Sequence, residues 1–157
     1  MARTICHMAR SAPARKKSVL DETVALLGLR RRVDSTLELM PIIREGLPSS
    51  AVTTIARHLD MSVQETAETI GLAKRTIARR VEQQQPLGAD ESERVVRLAR
   101  VFAQAMEVLG SVVKARRWLG KENRALGGSS PLSLLDTDVG AGAVLDELGR
   151  IEHGVFV

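Results

Sequence analysis

Apolar residues recur at spacings of three and four along most of the chain, and no stretch alternates with a period of two. That rhythm predicts amphipathic helices and no strands. A first helix is expected from Ser18, a cap with Asp21 three residues later, with Leu20, Val24 and Leu27 on one face and Gly28 as its stop. A shorter helical or extended piece is expected around Leu37–Arg44, interrupted by Pro41 and punctuated by Gly46 and Pro48. From Ser49 or Ser50 a further helix carries Val52, Ile55, Ala56 and Leu59 as its apolar stripe. Ser62 with Glu65 forms a capping box for the next, with Val63, Ala67 and Ile70 inward. The "LAKRTIARRVEQQQ" segment then turns Ile77 and Val81 inward. The Pro/Gly stretch over 83–91 reads as a hinge.

The second half opens with a long helix over roughly 90–109, in which Val95, Leu98, Phe102, Ala105, Met106 and Leu109 recur at helical spacing before Gly110. Ser111 caps a short helix that carries Trp118. The "KENRALGGSS" segment reads as a loop, and Ser130 with Pro131 at the first helical position starts "PLSLL". Thr137 or Asp138 caps a last helix with Val139, Ala143, Val144, Leu148 and Ile151 as its apolar residues and Gly154 just past its end.

The segment from Ser62 to Val81 has helix-turn-helix grammar. Ala67 is small where two helices cross closely, Gly71 supplies the sharp turn, and Leu72 and Ile77 pack the second helix on the first. Lys74, Arg75, Thr76, Arg79 and Arg80 are then left on an outward face suited to a major groove. Arg can read guanine through two hydrogen bonds, and Lys or Thr can bond phosphates and base edges. The plain alternative is a helical hairpin with solvated basic residues. Ala73 stands where Ser or Thr is preferred as a cap, a deficit of about 1 kcal/mol. Small modules of this kind usually bind a palindrome as homodimers, and the 90–109 helix is a candidate for the dimer contact.

Composition sharpens this picture. An apolar fraction of 44% with 27% charged residues is globular. Aromatic residues are only Phe102, Trp118 and Phe156, so the core is aliphatic and single-stranded nucleic acid, gripped by stacking, is disfavoured as a ligand. Residues 1–88 carry 14 Lys/Arg against 9 Asp/Glu, whereas residues 89–157 carry 9 against 10. A basic half therefore faces a polyanion and a near-neutral half does something else. Residues 1–17 read as a disordered basic arm, residues 18–86 as the DNA-binding domain and residues 87–157 as a second helical domain. Cys6 is alone, no apolar leader is evident and no segment is apolar enough to span a bilayer, so a cytoplasmic setting and no membrane contact are expected.

No catalytic constellation emerges. His7, His58 and His153 lack metal-ligand spacing, so no metal or other cofactor is expected. Asp136 and Asp138 are explained as helix-start residues, and the "GAG" at 140–142 lies in a helical pattern with no strand before it. The protein is read as a non-enzyme. The closing "RIEHGVFV" sets an apolar Val155-Phe156-Val157 after Gly154, packed either on its own domain or on a partner. The Gly-rich 123–131 loop lets backbone approach another surface closely.

The strings "RLARV" (97–101), "WL" (118–119), "N-x-ALGG" (123–128), "PLSLLDTDVG" (131–140) and "RIEHGVF" (150–156) resemble the toxin-binding domain of Xre/MbcA/ParS-type antitoxins. With the helix-turn-helix the resemblance covers about residues 35–157. Glu122 before Asn123, where family members often have Pro-Asn, and Ser133, where Asp is common, depart from the pattern. The resemblance implies an all-α fold, with a Cro/Xre-like DNA-binding domain followed by a small helical toxin-binding domain. It further implies a RES-domain toxin, NAD⁺-consuming, as partner, double-stranded operator DNA as the second partner, and autorepression. The toxin-binding residues it implies are Trp118, Asn123, Leu126, Gly127, Gly128, Pro131, Leu132, His153, Gly154, Val155, Phe156 and Val157. Read from its place on a short helix alone, Trp118 is first a core residue and only in part an interface one. The alternative reading is a dimeric repressor whose C-terminal domain senses a small ligand.

Overall fold

The computed structural model describes residues 18–154; the expected basic arm and Val155, Phe156 and Val157 lie outside the described residues. Among the described residues the fold is all-α. The helices are α1 (Val19–Leu26), α2 (Leu39–Glu45), α3 (Ser50–Leu59), α4 (Val63–Thr69), α5 (Lys74–Glu82), α6 (Ala89–Leu109), α7 (Val112–Gly120) and α8 (Asp138–Glu152). Short 3-10 turns occupy Thr36–Glu38, Arg124–Leu126 and Pro131–Leu134. The only extended pairing among the described residues is an isolated bridge between Pro48 and Pro86. None of these helices is long and apolar enough to cross a membrane.

Local chemistry sets the helix starts. Ser18 and Ser62 each accept from the backbone N–H three residues on while Asp21 and Glu65 reach back, completing two capping boxes. Ser111, Ser130 and Thr137 accept from Lys114, Ser133 and Gly140 N–H in the same way. Gly28, Gly71, Gly110 and Gly154 adopt left-handed φ values as helices end. Pro41 does not interrupt its helix. It is the third residue of α2, where a missing N–H removes no intrahelical bond. Ser49 precedes α3 without capping it, because its backbone is helical rather than extended, and its hydroxyl donates to the Arg80 carbonyl at 3.1 Å.

α6 is the axis of the molecule. It packs on α1, α2 and α3 on one side and on α7 and α8 on the other. Val95, Val96, Leu98, Ala99, Val101, Phe102, Ala103 and Ala105 are all buried, so the apolar face covers well over half of the helix and leaves Arg100 and Gln104 on the remaining edge. One continuous core runs from Leu26 in α1 to Leu148 in α8 through it, and Trp118 packs half-buried against its edge. The α2–α3 link is pinned to this axis: Leu47 N–H donates to the buried Ser92 hydroxyl at 2.8 Å, and Leu47 C=O accepts from Leu87 N–H at 2.8 Å. The 83–88 segment is thus irregular but anchored by Leu87.

Glycines in α8 have opposite roles. A Cβ on Gly140 would overlap the Leu134 carbonyl, whereas one on Gly142 would meet nothing within 4 Å. Gly140→Ala is therefore expected to destabilise the protein by about 2 kcal/mol or more through forced displacement of the 131–134 turn. Gly142→Ala is expected to stabilise it by about 0.5–1 kcal/mol by removing backbone freedom. Thermal melts of the two variants check the pair of signs.

Candidate functional site

The Ser62–Glu82 hairpin is built as its residues dictate. α4 ends at Ile70, Gly71 takes φ +68°, and Leu72 N–H returns to Ala67 C=O at 2.8 Å. Ala67, Ile70 and Ile77 are fully buried, which holds α4 and α5 together with Leu72 and Val81 half-buried beside them. Glu65 accepts from Ser62 N–H at 2.8 Å, and this hydrogen bond holds its carboxyl below the usual carboxylate range. Its contribution to α4 is present at neutral pH and is lost as pH falls through that lowered value.

The five cationic or polar residues expected to face DNA do not share one environment. Arg75 and Arg79 are exposed, and no side-chain hydrogen bond or ion pair engages either among the described residues. With Thr76, Ala78 and Glu82 they line an open groove of about 450 Å³ along the outer face of α5. Lys74 is exposed and pairs with Glu68 at 2.8 Å, and Thr76 is half-buried. Arg80 differs from the outward placement expected of it: its side chain is 27% exposed, with Nε 3.0 Å from Glu91 and Nη1 donating to Pro86 C=O at 3.0 Å. Periodicity puts Arg80 one residue past Arg79, close to the helix edge that meets the start of α6, and Glu91 draws it there. Ala73 precedes α5 without a side-chain cap, so the first-turn N–H groups have no side-chain acceptor there.

The C-terminal surface is a closed, pre-shaped loop. Asn123 N–H donates to Ser129 C=O at 3.1 Å, Gly128 N–H returns to Asn123 C=O at 3.0 Å, and the Asn123 side chain accepts from Ala125 N–H at 2.9 Å. Gly127 and Gly128 both have left-handed φ, are exposed, and have open space where a Cβ would stand. Asn123 thus organises the turn with its side chain. Leu126 and Leu132 are half-buried and Pro131 is buried, so of this set the two glycines are the most open to a partner. His153 and Gly154 are exposed at the end of α8. Val139, in the first turn of α8, is 85% exposed and stands among the exposed large apolar residues.

Cross-element arginines are what sequence reasoning missed. Arg94 of α6 donates to Ile70 and Gly71 carbonyls, and Arg116 of α7 donates to His58 C=O at 2.5 Å at the end of α3. Neither has a local sequence signal, because each partner lies more than twenty residues away. Among the described residues no cluster of His, Cys, Asp or Glu is placed to hold a metal ion.

Comparison with known proteins agrees with this two-part layout. The family model for the antitoxin Xre-like helix-turn-helix domain matches residues 38–100, and that for the antitoxin Xre/MbcA/ParS C-terminal toxin-binding domain matches residues 104–154. The chain is similar to Antitoxin Xre of Yersinia enterocolitica, 32% identical over 145 residues that cover 92% of this chain and 95% of that protein. It is 36% identical to Antitoxin Xre of Photorhabdus laumondii over 115 residues, 73% of this chain and 78% of that protein. A protein of Sphingobium sp. named Prs ADP-ribosylating antitoxin is 26% identical over 131 residues, 78% of this chain and 82% of that one.

The different settings of the arginines on α5 separate stability from binding. Arg80→Ala is expected to lower stability by about 1–2 kcal/mol, since it leaves a largely buried Glu91 without its cation. Arg75→Ala and Arg79→Ala are expected to stay within about 0.5 kcal/mol of the parent in the same denaturant titration.

Proposed function

The chain belongs to the Xre antitoxin family, with a helix-turn-helix domain and a C-terminal toxin-binding domain, and from that premise we propose that it neutralises a RES-domain toxin and represses its own operon as a homodimer on duplex DNA. The observation that carries this reading is the succession of the two matched domains along one chain. We assign residues 18–86 to DNA and residues 87–157 to toxin binding and dimerisation.

On the DNA side, Arg75 and Arg79 are the free cations of α5 and support direct contact with base edges or phosphates. Lys74 and Thr76 add contacts near the helix start, and Arg80 acts through its hold on the start of α6. The uncapped N–H groups at Ala73 suit a phosphate oxygen as the missing acceptor. On the toxin side, the exposed Gly127-Gly128 turn, held in shape by Asn123, is suited to close backbone approach. Leu126, Pro131, Leu132 and half-buried Trp118 are assigned to the same toxin-binding surface, together with His153, Gly154 and the apolar Val155-Phe156-Val157 stretch. An NAD⁺-consuming toxin accords with the words "ADP-ribosylating" in the name of the Sphingobium relative. No cofactor or catalytic residue is assigned to this chain, and its setting is taken as the cytoplasm, where both partners would be met.

Two measurements test the reading. Cells expressing a RES-domain toxin should stop growing and lose NAD⁺, and co-expression of this chain should restore both; unchanged NAD⁺ loss would refute the toxin assignment. Replacing Val155 and Phe156 with Ser should weaken that rescue. Arg75→Ala should weaken duplex binding and reduce the slope of log affinity against log salt by about 1 if it meets a phosphate, with rescue intact. Loss of DNA binding and of rescue together would indicate a folding defect instead.

A further inference from the structure

The turn of the helix-turn-helix is held from outside the motif. Arg94, on the second turn of α6, donates from Nη1 to Ile70 C=O at 3.1 Å and to Gly71 C=O at 3.0 Å. These carbonyls end α4, where helix carbonyls have no partner of their own. The guanidinium is confined on its other side. A Cβ on Gly71 would stand 2.7 Å from Arg94 Nη1 and 3.4 Å from the Cβ of Asp136. Space beside the Gly71 Cα is therefore bounded by the guanidinium and by Asp136, in the segment leading into α8. Arg97, three residues further along α6, lies with Nε 3.3 Å from Asp138 Oδ1, at the first residue of α8. That approach is an ion pair without hydrogen-bond alignment, since the buried Nε has no hydrogen-bond partner among the described residues. α6 thus sets one arginine on the DNA reader's turn and the next on the start of the last helix.

We propose that Arg94 is a positioning residue for DNA recognition: by gripping the Ile70 and Gly71 carbonyls it fixes the angle at which α5 leaves α4, and so decides sequence discrimination without touching DNA. The inference rests on the DNA-reading role given to α5 above. The physical argument is one of leverage. Gly71 is the pivot between the two helices, and it takes a left-handed φ that glycine adopts without strain. Ile77 packs the middle of α5, but the first turn of α5, with Lys74 and Arg75, is exposed and has no cap to stiffen it. A charge-assisted contact on the pivot restrains what the hydrophobic contact leaves free. Base readout needs side chains held to well under 1 Å or so, whereas general attraction to phosphates tolerates a swinging helix. Loosening the pivot should accordingly cost specificity before it costs affinity.

The test uses the full chain. A preferred duplex is first selected by the wild-type protein from a random-sequence pool, and its affinity is compared with that for a scrambled duplex of the same length. If the wild type selects no preferred duplex, the DNA-reading role itself fails and the inference goes with it. With a preferred duplex in hand, Arg94→Gln is expected to lower affinity for it by about tenfold to a hundredfold. Affinity for the scrambled duplex, and its salt slope, should stay within about twofold, because no phosphate contact is removed. Arg94→Lys should keep most of the discrimination, since an ammonium has donors enough for both carbonyls. Arg94→Met, which keeps the apolar stem and removes the donors, should reproduce the loss. A parallel drop on both duplexes, or unchanged discrimination in Arg94→Gln, would overturn the proposal. Should Arg94→Gln fail to melt cooperatively, Arg94→Met and Arg94→Lys decide it.

Discussion

The burial of α6 on nearly every side is the constraint from which the rest of the molecule follows. A helix in which Val95, Val96, Leu98, Ala99, Val101, Phe102 and Ala103 are all under 4% exposed, with only an edge such as Arg100 left to solvent, cannot rest on a single neighbour. It must be wrapped, and the chain before it and the chain after it each supply one side of the wrapping. With only two aromatic residues in the described part, Phe102 and Trp118, the fill is achieved by interdigitating Leu, Ile, Val and Ala, which is how close helix packing without large rings is sustained. The two matched segments meet within this one helix, near residues 100–104, so neither half closes its core without a piece of the other's axis.

Much of this was legible in the sequence, and the reason is that the legible features are local. Caps at Ser18, Ser62, Ser111, Ser130 and Thr137 are decided by a side chain and an N–H three residues away, and each formed as its pattern predicts. The stripes of α3 and α6 are decided by period alone, and Val52, Ile55, Ala56 and Leu59 are buried as read. Pro41 shows the limit of a local rule applied without register: the residue breaks helices, but not in their first turn. Ser49 shows a second limit, since its backbone is already helical where a cap must be extended, and its hydroxyl donates across the molecule to the Arg80 carbonyl.

The candidate sites were legible in part for the same reason. The face of α5 could be drawn from helical spacing, but which of its cations stay free could not. Lys74, Arg75, Arg79 and Arg80 look alike in the sequence and diverge only when Glu68 and Glu91 are brought up to two of them. On the other surface, Asn123 reads as a contact residue because it stands in a family motif; in the fold its side chain also closes the turn that presents Gly127 and Gly128. A turn held in shape in advance lowers the ordering cost of any contact it makes.

Placing a DNA reader and a toxin-binding surface on one core has a physical consequence for how they act together. Arg94, Arg97 and Arg116 reach from the central and C-terminal helices to the Gly71 turn, to Asp138 and to the end of α3. Helix ends are where backbone carbonyls lack partners, so they are the cheapest points at which one half can hold the other without disturbing its core. A partner that shifts the 136–138 segment would act on the ion pair of Asp138 with Arg97, one helical turn along α6 from the arginine that holds the Gly71 turn, whereas a partner that rests only on the outer Gly127-Gly128 turn would not. Energetic coupling between the two surfaces therefore depends on where the toxin sits along the C-terminal unit, because two sites influence each other only through an element whose state both of them bias.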